Sequence, residues 1–296
     1  MRRAAVSATG ATRRVAAGLA CALLASCAQA PAPPAAALPT AATESNRRAE
    51  AYLRRGDLEN AALHYREALR LSLALEDAEG IAANAINLSI VYQRLGKYAE
   101  ARASLAPVLE HANLSFAPER RAQAALRRSV LDLDERRYAG AGEWADRAAA
   151  FCGLPCALSA AIHNVQGQLA LEAGRHAAAM AAARAALAAS RASEDRAEAA
   201  NALRLHGMAA IGAGDAAAAL ASLGEALAID RELAVPRKIY LDLVGLGRAS
   251  ALRNERVAAR AYYERARAVS EADRDAKGAA EARALIDALG SAAGSR

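Results

Sequence analysis

From Ala82 to Leu109, apolar and small residues recur in steps of three and four. They fall at Ala85, Leu88, Tyr92 and Leu95, and then, after Gly96-Lys97, at Tyr98, Ala101, Leu105 and Val108. Each set lies on one helical face, so the stretch predicts two amphipathic helices joined by a tight turn. One such hairpin cannot bury its own apolar stripe and needs neighbours of the same kind. The chain supplies them. Gly56, Gly96, Gly174 and Gly214 occupy equivalent turns, and Arg136 and Asn254 fill the same slot, giving steps of 40, 40, 38, 40 and 40 residues. A fixed period of that length is the mark of a solenoid.

Three columns of the repeat are small. Seven residues before each turn stand Ala49, Ser89, Ser129, Gly167, Gly207 and Gly247, and five after it Ala61, Ala101, Ala141, Ala179, Ala219 and Ala259. Twelve after it come Ala68, Val108, Ala148, Ala186, Ala226 and Ala266. Small residues at these sites let helix backbones approach closely. Alanine makes up 89 of the 296 residues, so the alanine columns say less than the Gly/Ser column does. Nine after the turn the large residues Tyr65, Leu105, Leu223 and Tyr263 give way to Ala145 and Ala183 in the third and fourth units.

These columns resemble the tetratricopeptide repeat in its longer-period variety, over about residues 42 to 290. Departures from the family pattern are the missing Trp at its early position, Asp132 where Tyr52 and Tyr92 stand in earlier units, and Pro107 inside the second helix of the clearest repeat. Pro107 should kink or shorten that helix. Pro118 and Pro236 fall where first helices should begin, as proline in a first turn does. The expected architecture is all-α, an α-solenoid of about six hairpins. A capping helix, Ala276 to Leu289, should close it, with Ala280, Leu285, Ile286 and Leu289 facing inward. Asp57 is the expected cap of one second helix. Trp144, one unit before the alanine-rich helix His176 to Ser190, reads as a core filler rather than a ligand-stacking ring.

The N-terminus changes the picture. Arg2, Arg3, Arg13 and Arg14 precede a short apolar run, Val15 to Ser26, too short to span a bilayer and typical of a secretory signal. The run ends Leu24-Ala25-Ser26-Cys27, which resembles a bacterial lipobox. That resemblance implies cleavage before Cys27, lipid on that residue, and outer-membrane sorting because Ala28 follows. The alternatives are an ordinary cleaved signal with an incidental cysteine, or a twin-arginine signal at Arg13-Arg14. The expected organisation is a signal peptide at 1–26, a lipidated, Pro/Ala-rich linker at 27–44, the repeat domain at 45–290 and a tail at 291–296. At ~3.1 Å per residue the linker could hold the array up to about 50 Å from a membrane.

Of the net charge of +6, four units belong to the signal arginines, so the high isoelectric point of about 9.4 argues only weakly for nucleic acid. No nucleic-acid partner and no cofactor are expected. Beyond Cys21 and Cys27 the cysteines are Cys152 and Cys156, bracketing the connection where the period drops to 38. In an oxidising compartment they could form a disulfide, or remain free thiols. His64, His111, His163, His176 and His206 fall on different helices or helix ends, so no metal site is expected. Gly245-Leu246-Gly247 lacks the preceding strand of a nucleotide loop. No constellation of acid, base and nucleophile emerges, and a catalytic role is not expected.

In the family the concave surface is lined by first helices of the hairpins. One face of those helices carries Asn87, Arg94, Arg127, Asn164, Gln168, Arg204 and Arg248, side chains able to grip an extended peptide by its amides and carboxylates. The alternative is that they only solvate the surface. Asn87 and Arg127 match part of the family's carboxylate clamp, whereas Glu50 and Gln123 stand where it needs Asn and Lys. The leading expectation is an outer-membrane lipoprotein facing the periplasm, serving as a scaffold or adaptor for an envelope protein or peptide in an assembly, secretion or protease complex. A carrier or regulator of polysaccharide or peptidoglycan is the alternative, weakened by scarce aromatics, and an unrecognised enzyme is a third.

Overall fold

The computed structural model describes residues 38–110, 114–153 and 156–291. The expected signal peptide, the lipidation site Cys27, most of the linker, His111 and the residues after Ser291 lie outside them. The described chain is an α-solenoid of thirteen helices, with no strand among the described residues. In order these are α1 (Leu38–Arg54), α2 (Leu58–Ala74), α3 (Ala78–Arg94), α4 (Tyr98–Leu109), α5 (Pro118–Asp134), α6 (Tyr138–Cys152) and α7 (Ser159–Glu172). They continue with α8 (His176–Ala192), α9 (Arg196–Gly212), α10 (Ala216–Glu232), α11 (Pro236–Leu252), α12 (Arg256–Ala272) and α13 (Ala276–Ser291). Six hairpins stack in series and α13 lies on the last of them, each helix packing chiefly on its sequence neighbours.

Local chemistry explains the punctuation. The glycine of each turn takes a left-handed conformation, φ 72° at Gly96, while its amide bonds the Gln93 carbonyl at 2.9 Å and the Lys97 amide bonds that of Tyr92 at 2.8 Å. This pair of bonds is the Schellman closure of a helix end. Arg136 and Asn254 adopt the same conformation at φ 58° without the freedom of glycine. Glu76, Glu194, Ala234 and Arg274 do likewise between hairpins, so a helix and its turn repeat every twenty residues. Asp57 caps α2, and Asp77, Asp195, Asp215 and Asp275 accept the equivalent bond from the third residue after each, at 3.0–3.1 Å.

The small and large columns meet in the core. Tyr65, Leu105, Leu223 and Tyr263 are buried, and Leu223 and Tyr263, nine after their turns, lie on Gly207 and Gly247, seven before them. A Cβ at Gly207 would fall 2.6 Å from Leu223 Cγ. In the fourth unit, where the large residue is replaced by Ala183, Leu205 of the next unit reaches into the space over Gly167. Pro107 ends α4 early, at 12 residues against 17 in most helices, and packing thins at α4–α5 and again at α6–α7. At the second thin joint Cys152 and Cys156 are disulfide-bonded.

Two expectations need correction, while Trp144 packs on the core as expected but only in part. The repeat domain begins at Leu38 rather than 45, because Pro39 sits in the first turn of a helix, where its missing amide hydrogen costs nothing. In α13 the buried residues are Gly278, Ala279, Ala282 and Ile286, whereas Ala280 faces solvent. Trp144 is half-buried against Ala148 and Cys152, and its outer face lies 4.5 Å from the Arg147 guanidinium and 5.4 Å from that of Arg128.

Candidate functional site

A groove of about 1030 Å³ runs along the inner surface of hairpins three to six and the capping helix. Every residue lining it belongs to α5, α7, α9, α11 or α13, the first helices of hairpins three to six and the capping helix. Leu126, Val130, Val165, Leu205, Leu241 and Leu285 form an apolar floor. Glu172, Glu198, Lys238, Arg248 and Glu281 supply the charge.

Four of the seven side chains expected to line a binding surface are here. Asn164 donates from Nδ2 to the Glu198 backbone oxygen at 3.1 Å and to its carboxylate at 2.6 Å. Gln168 donates to Glu172 at 3.0 Å, which also accepts from the Tyr138 hydroxyl at 2.9 Å. Arg248 is exposed and forms no ion pair among the described residues.

Arg204 has a different role from the one its helix position suggests. It is buried, with Nε donating to Asp242 at 2.7 Å, one terminal nitrogen to Asn201 at 3.0 Å and the other to Asp230. Lys238 stands beside this group and donates to Asn201 at 2.9 Å. Burial, and then the neighbouring Arg204 charge, lower the Lys238 pKa. Burial also pushes the Asp242 carboxyl up to about 7, against the pull of Arg204 and with the help of Asp230. One guanidinium serves two buried carboxyl groups, and the pair holds a proton that an isolated aspartate would release.

The remaining three lie apart. Arg127 bridges α5 to α3, donating to the Ser89 hydroxyl at 3.2 Å, the Ser89 carbonyl at 3.3 Å and the Gln93 side chain. Burial lowers its pKa to about 10. Asn87 is half-buried and Arg94 exposed on α3, neither lining the groove.

Asp230, Asp242, Asn201, Lys238 and Glu198 were not singled out from the sequence. A signal was present for two of them. Asp230 stands in a column otherwise held by Ser72, Ala112, Cys152, Ser190 and Ser270, and Asp242 in one held by Asn84, Ala124, Ile162, Ala202 and, in the first unit, the exposed Glu44. A charge at a position that is buried in the units on either side needs a partner.

The histidines have structural surroundings. His64 stacks on Tyr52, His206 Nδ1 lies 3.0 Å from the Ser222 hydroxyl, His163 pairs with Gln166, and the His176 ring covers Gly212. Among the described residues no group of three or more His, Cys, Asp and Glu is arranged to hold a metal ion, and no helix is long and apolar enough to cross a membrane. Gly245 and Gly247 lie inside α11, buried against Leu223 and Tyr263.

Residues 39–113 match the tetratricopeptide repeat family model. No curated protein sequence matches the chain. Among solved structures, BtubC (BKLC) from P. vanneervenii is similar at 18% identity and TM-score 0.54, over 80% of this chain and 92% of that one. A tetratricopeptide repeat protein from Parabacteroides merdae aligns at 14% identity and TM-score 0.52, covering 85% of this chain and 94% of its own. A Rap protein complexed with Competence and Sporulation Factor aligns at 14% identity and TM-score 0.61, covering 85% and 70%. The fold is thus a tetratricopeptide-repeat-like α-solenoid, and the family match itself covers the first two hairpins.

Proposed function

We propose that this chain of tetratricopeptide-type hairpins is a non-catalytic scaffold that holds an extended segment of another protein in the α5–α13 groove. The observation that carries the reading is the groove itself. Five successive inner helices give it an apolar floor, the amides of Asn164, Gln168 and Asn201, and an arginine, Arg248, left without an ion-pair partner among the described residues. Apolar pockets would take alternate side chains of the segment, the amides would meet its backbone, and Arg248 would meet a carboxylate. A volume of about 1030 Å³ also exceeds what a small metabolite needs. The Rap protein of similar fold was solved in complex with Competence and Sporulation Factor, which supports reading this fold as one that binds a partner.

The setting belongs to the same proposal. The basic, apolar and Cys27-terminated N-terminus supports a lipid anchor in the outer membrane, with the array in the periplasm and the partner an envelope protein or peptide of an assembly, secretion or protease complex. The test is site-specific photo-cross-linking in intact cells. A cross-linker replacing Leu241 on the groove floor is expected to trap a discrete adduct, and one replacing Val257, which is 87% exposed on α12, is not. Adducts only from Val257, or none from Leu241, would place partner binding elsewhere.

A further inference from the structure

Two inter-hairpin junctions carry buried polar side chains at matching positions, and one of them is filled by the chain's own arginine. At the α10–α11 junction Asp230 and Asp242 face each other across the guanidinium of Arg204, with Lys238 alongside. At the α2–α3 junction, at one constant offset along the repeat, the corresponding residues are Ser72, Asn84, Asn46 and Gly80. The geometry is preserved, since Asn84 Nδ2 lies 3.4 Å from the Ser72 hydroxyl. The cations are missing. Asn46 stops short of where Arg204 reaches, and Gly80 stands in place of Lys238 at a site where a Cβ would fall 2.3 Å from an Asp77 carboxylate oxygen and 2.6 Å from the Ser72 hydroxyl.

What remains is a crevice of about 610 Å³ between α1, the end of α2 and the start of α3. Asn84 is only 2% exposed, and its Oδ1 has no hydrogen-bond partner among the described residues. Its orientation is fixed, because Nδ2 donates to the Gly80 carbonyl at 2.8 Å and the amide cannot be reversed without losing that bond. The buried Oδ1 of Asn46 is likewise unpartnered. Glu50, which pairs with Arg54 at 4.0 Å, and Asp77, which caps the Gly80 amide at 3.1 Å, add carboxylates to the lining beside the exposed Arg47. Buried acceptors in a native protein have donors, and the two asparagines that carry these both line the crevice.

We propose that this crevice receives the side chain of an arginine from a partner polypeptide, its guanidinium taking the place among α1, α2 and α3 that the Arg204 guanidinium takes among α9, α10 and α11. A planar group with five donors meets acceptors arriving from several helices at once, and it is more weakly hydrated than the compact ammonium of lysine. The site is separate from the α5–α13 groove and stands independently of the function proposed for it.

The test is calorimetric titration of the full chain with acetyl-Ala-Arg-Ala-amide and with its citrulline counterpart, which keeps the shape and loses the charge. Saturable binding of the arginine peptide is expected, with the citrulline peptide weaker by roughly tenfold or more. Asn46→Arg places the chain's own guanidinium in the crevice and is expected to abolish binding while raising the melting temperature. Asn84→Ala should weaken binding, and because that buried change can also disturb folding, the half-exposed Asn46 is the deciding site. Arg248→Glu, in the other groove, should leave the affinity unchanged. No saturable binding, which means a crevice holding water only, equal binding of the two peptides, or binding undiminished in Asn46→Arg would each overturn the proposal.

Discussion

Tyr263 lies against Gly247 so closely that a Cβ at Gly247 would fall 2.3 Å from Cε1 of the ring. The contact joins the two helices of the sixth hairpin, and Leu223 over Gly207 repeats it in the fifth. The small column of the repeat thus exists to admit the large one. Gly247→Ala sets two effects against each other. Removing glycine from a helix interior stabilises by about 0.5–1 kcal/mol, whereas forcing a methyl group into a filled space costs about 1–3 kcal/mol. Overpacking wins, and a lower denaturation midpoint is expected. Gly224, also inside a helix but with nothing within 4 Å of its would-be Cβ, is the control. Gly224→Ala should raise the midpoint by about 0.5–1 kcal/mol in equivalent stability. Chemical denaturation of both variants checks the contrast.

The buried carboxyl pair makes stability depend on pH. Asp242 keeps its proton up to about 7 in the folded chain, well above its ordinary 3.8. The folded state therefore binds more protons than the unfolded state between these values, and stability falls as pH rises through that interval, levelling off above about 7. Wild-type protein should melt progressively lower from pH 5 to pH 7.5, and Asp242→Asn should flatten the slope. Arg204→Met should be worse than either, by about 3–5 kcal/mol, since it leaves two buried carboxyls with no guanidinium between them. Melting curves across the pH series decide both.

Cys27 decides the anchor. Cys27→Ala should move the protein from the membrane fraction to the soluble fraction without altering its helical circular dichroism, because Cys27 precedes α1, the first described helix, by eleven residues. A protein still in the membrane fraction would remove the lipid from the account.

The repeat was legible because its turns are chemically specific. Gly56, Gly96, Gly174 and Gly214 mark left-handed turns directly, and Arg136 and Asn254 could be placed in the same slot only from the period. The start of α1 was hidden because Pro39 in a first turn looks, in sequence, like the prolines of the linker before it. The binding surface was harder. Asn164, Gln168 and Arg248 line the groove, but Arg127 and Arg204, placed on the same face by helical spacing, spend their guanidinium groups on neighbouring helices. Their partners lie one or two helices away, so no local pattern reveals whether such an arginine points to solvent or into a junction. The interior units, which carry uncharged residues where Asp230 and Asp242 stand, held that information for Arg204.

The central claim is that the α5–α13 groove holds a partner polypeptide. Its most direct measurement is the affinity of the segment trapped by the Leu241 cross-linker, synthesised and titrated against wild-type protein, Leu241→Glu and Val257→Glu. The expected result is a loss of roughly tenfold or more for Leu241→Glu, which puts a charge on the apolar floor, and an unchanged affinity for Val257→Glu. Equal affinity of all three proteins, or a loss confined to Val257→Glu, would contradict it.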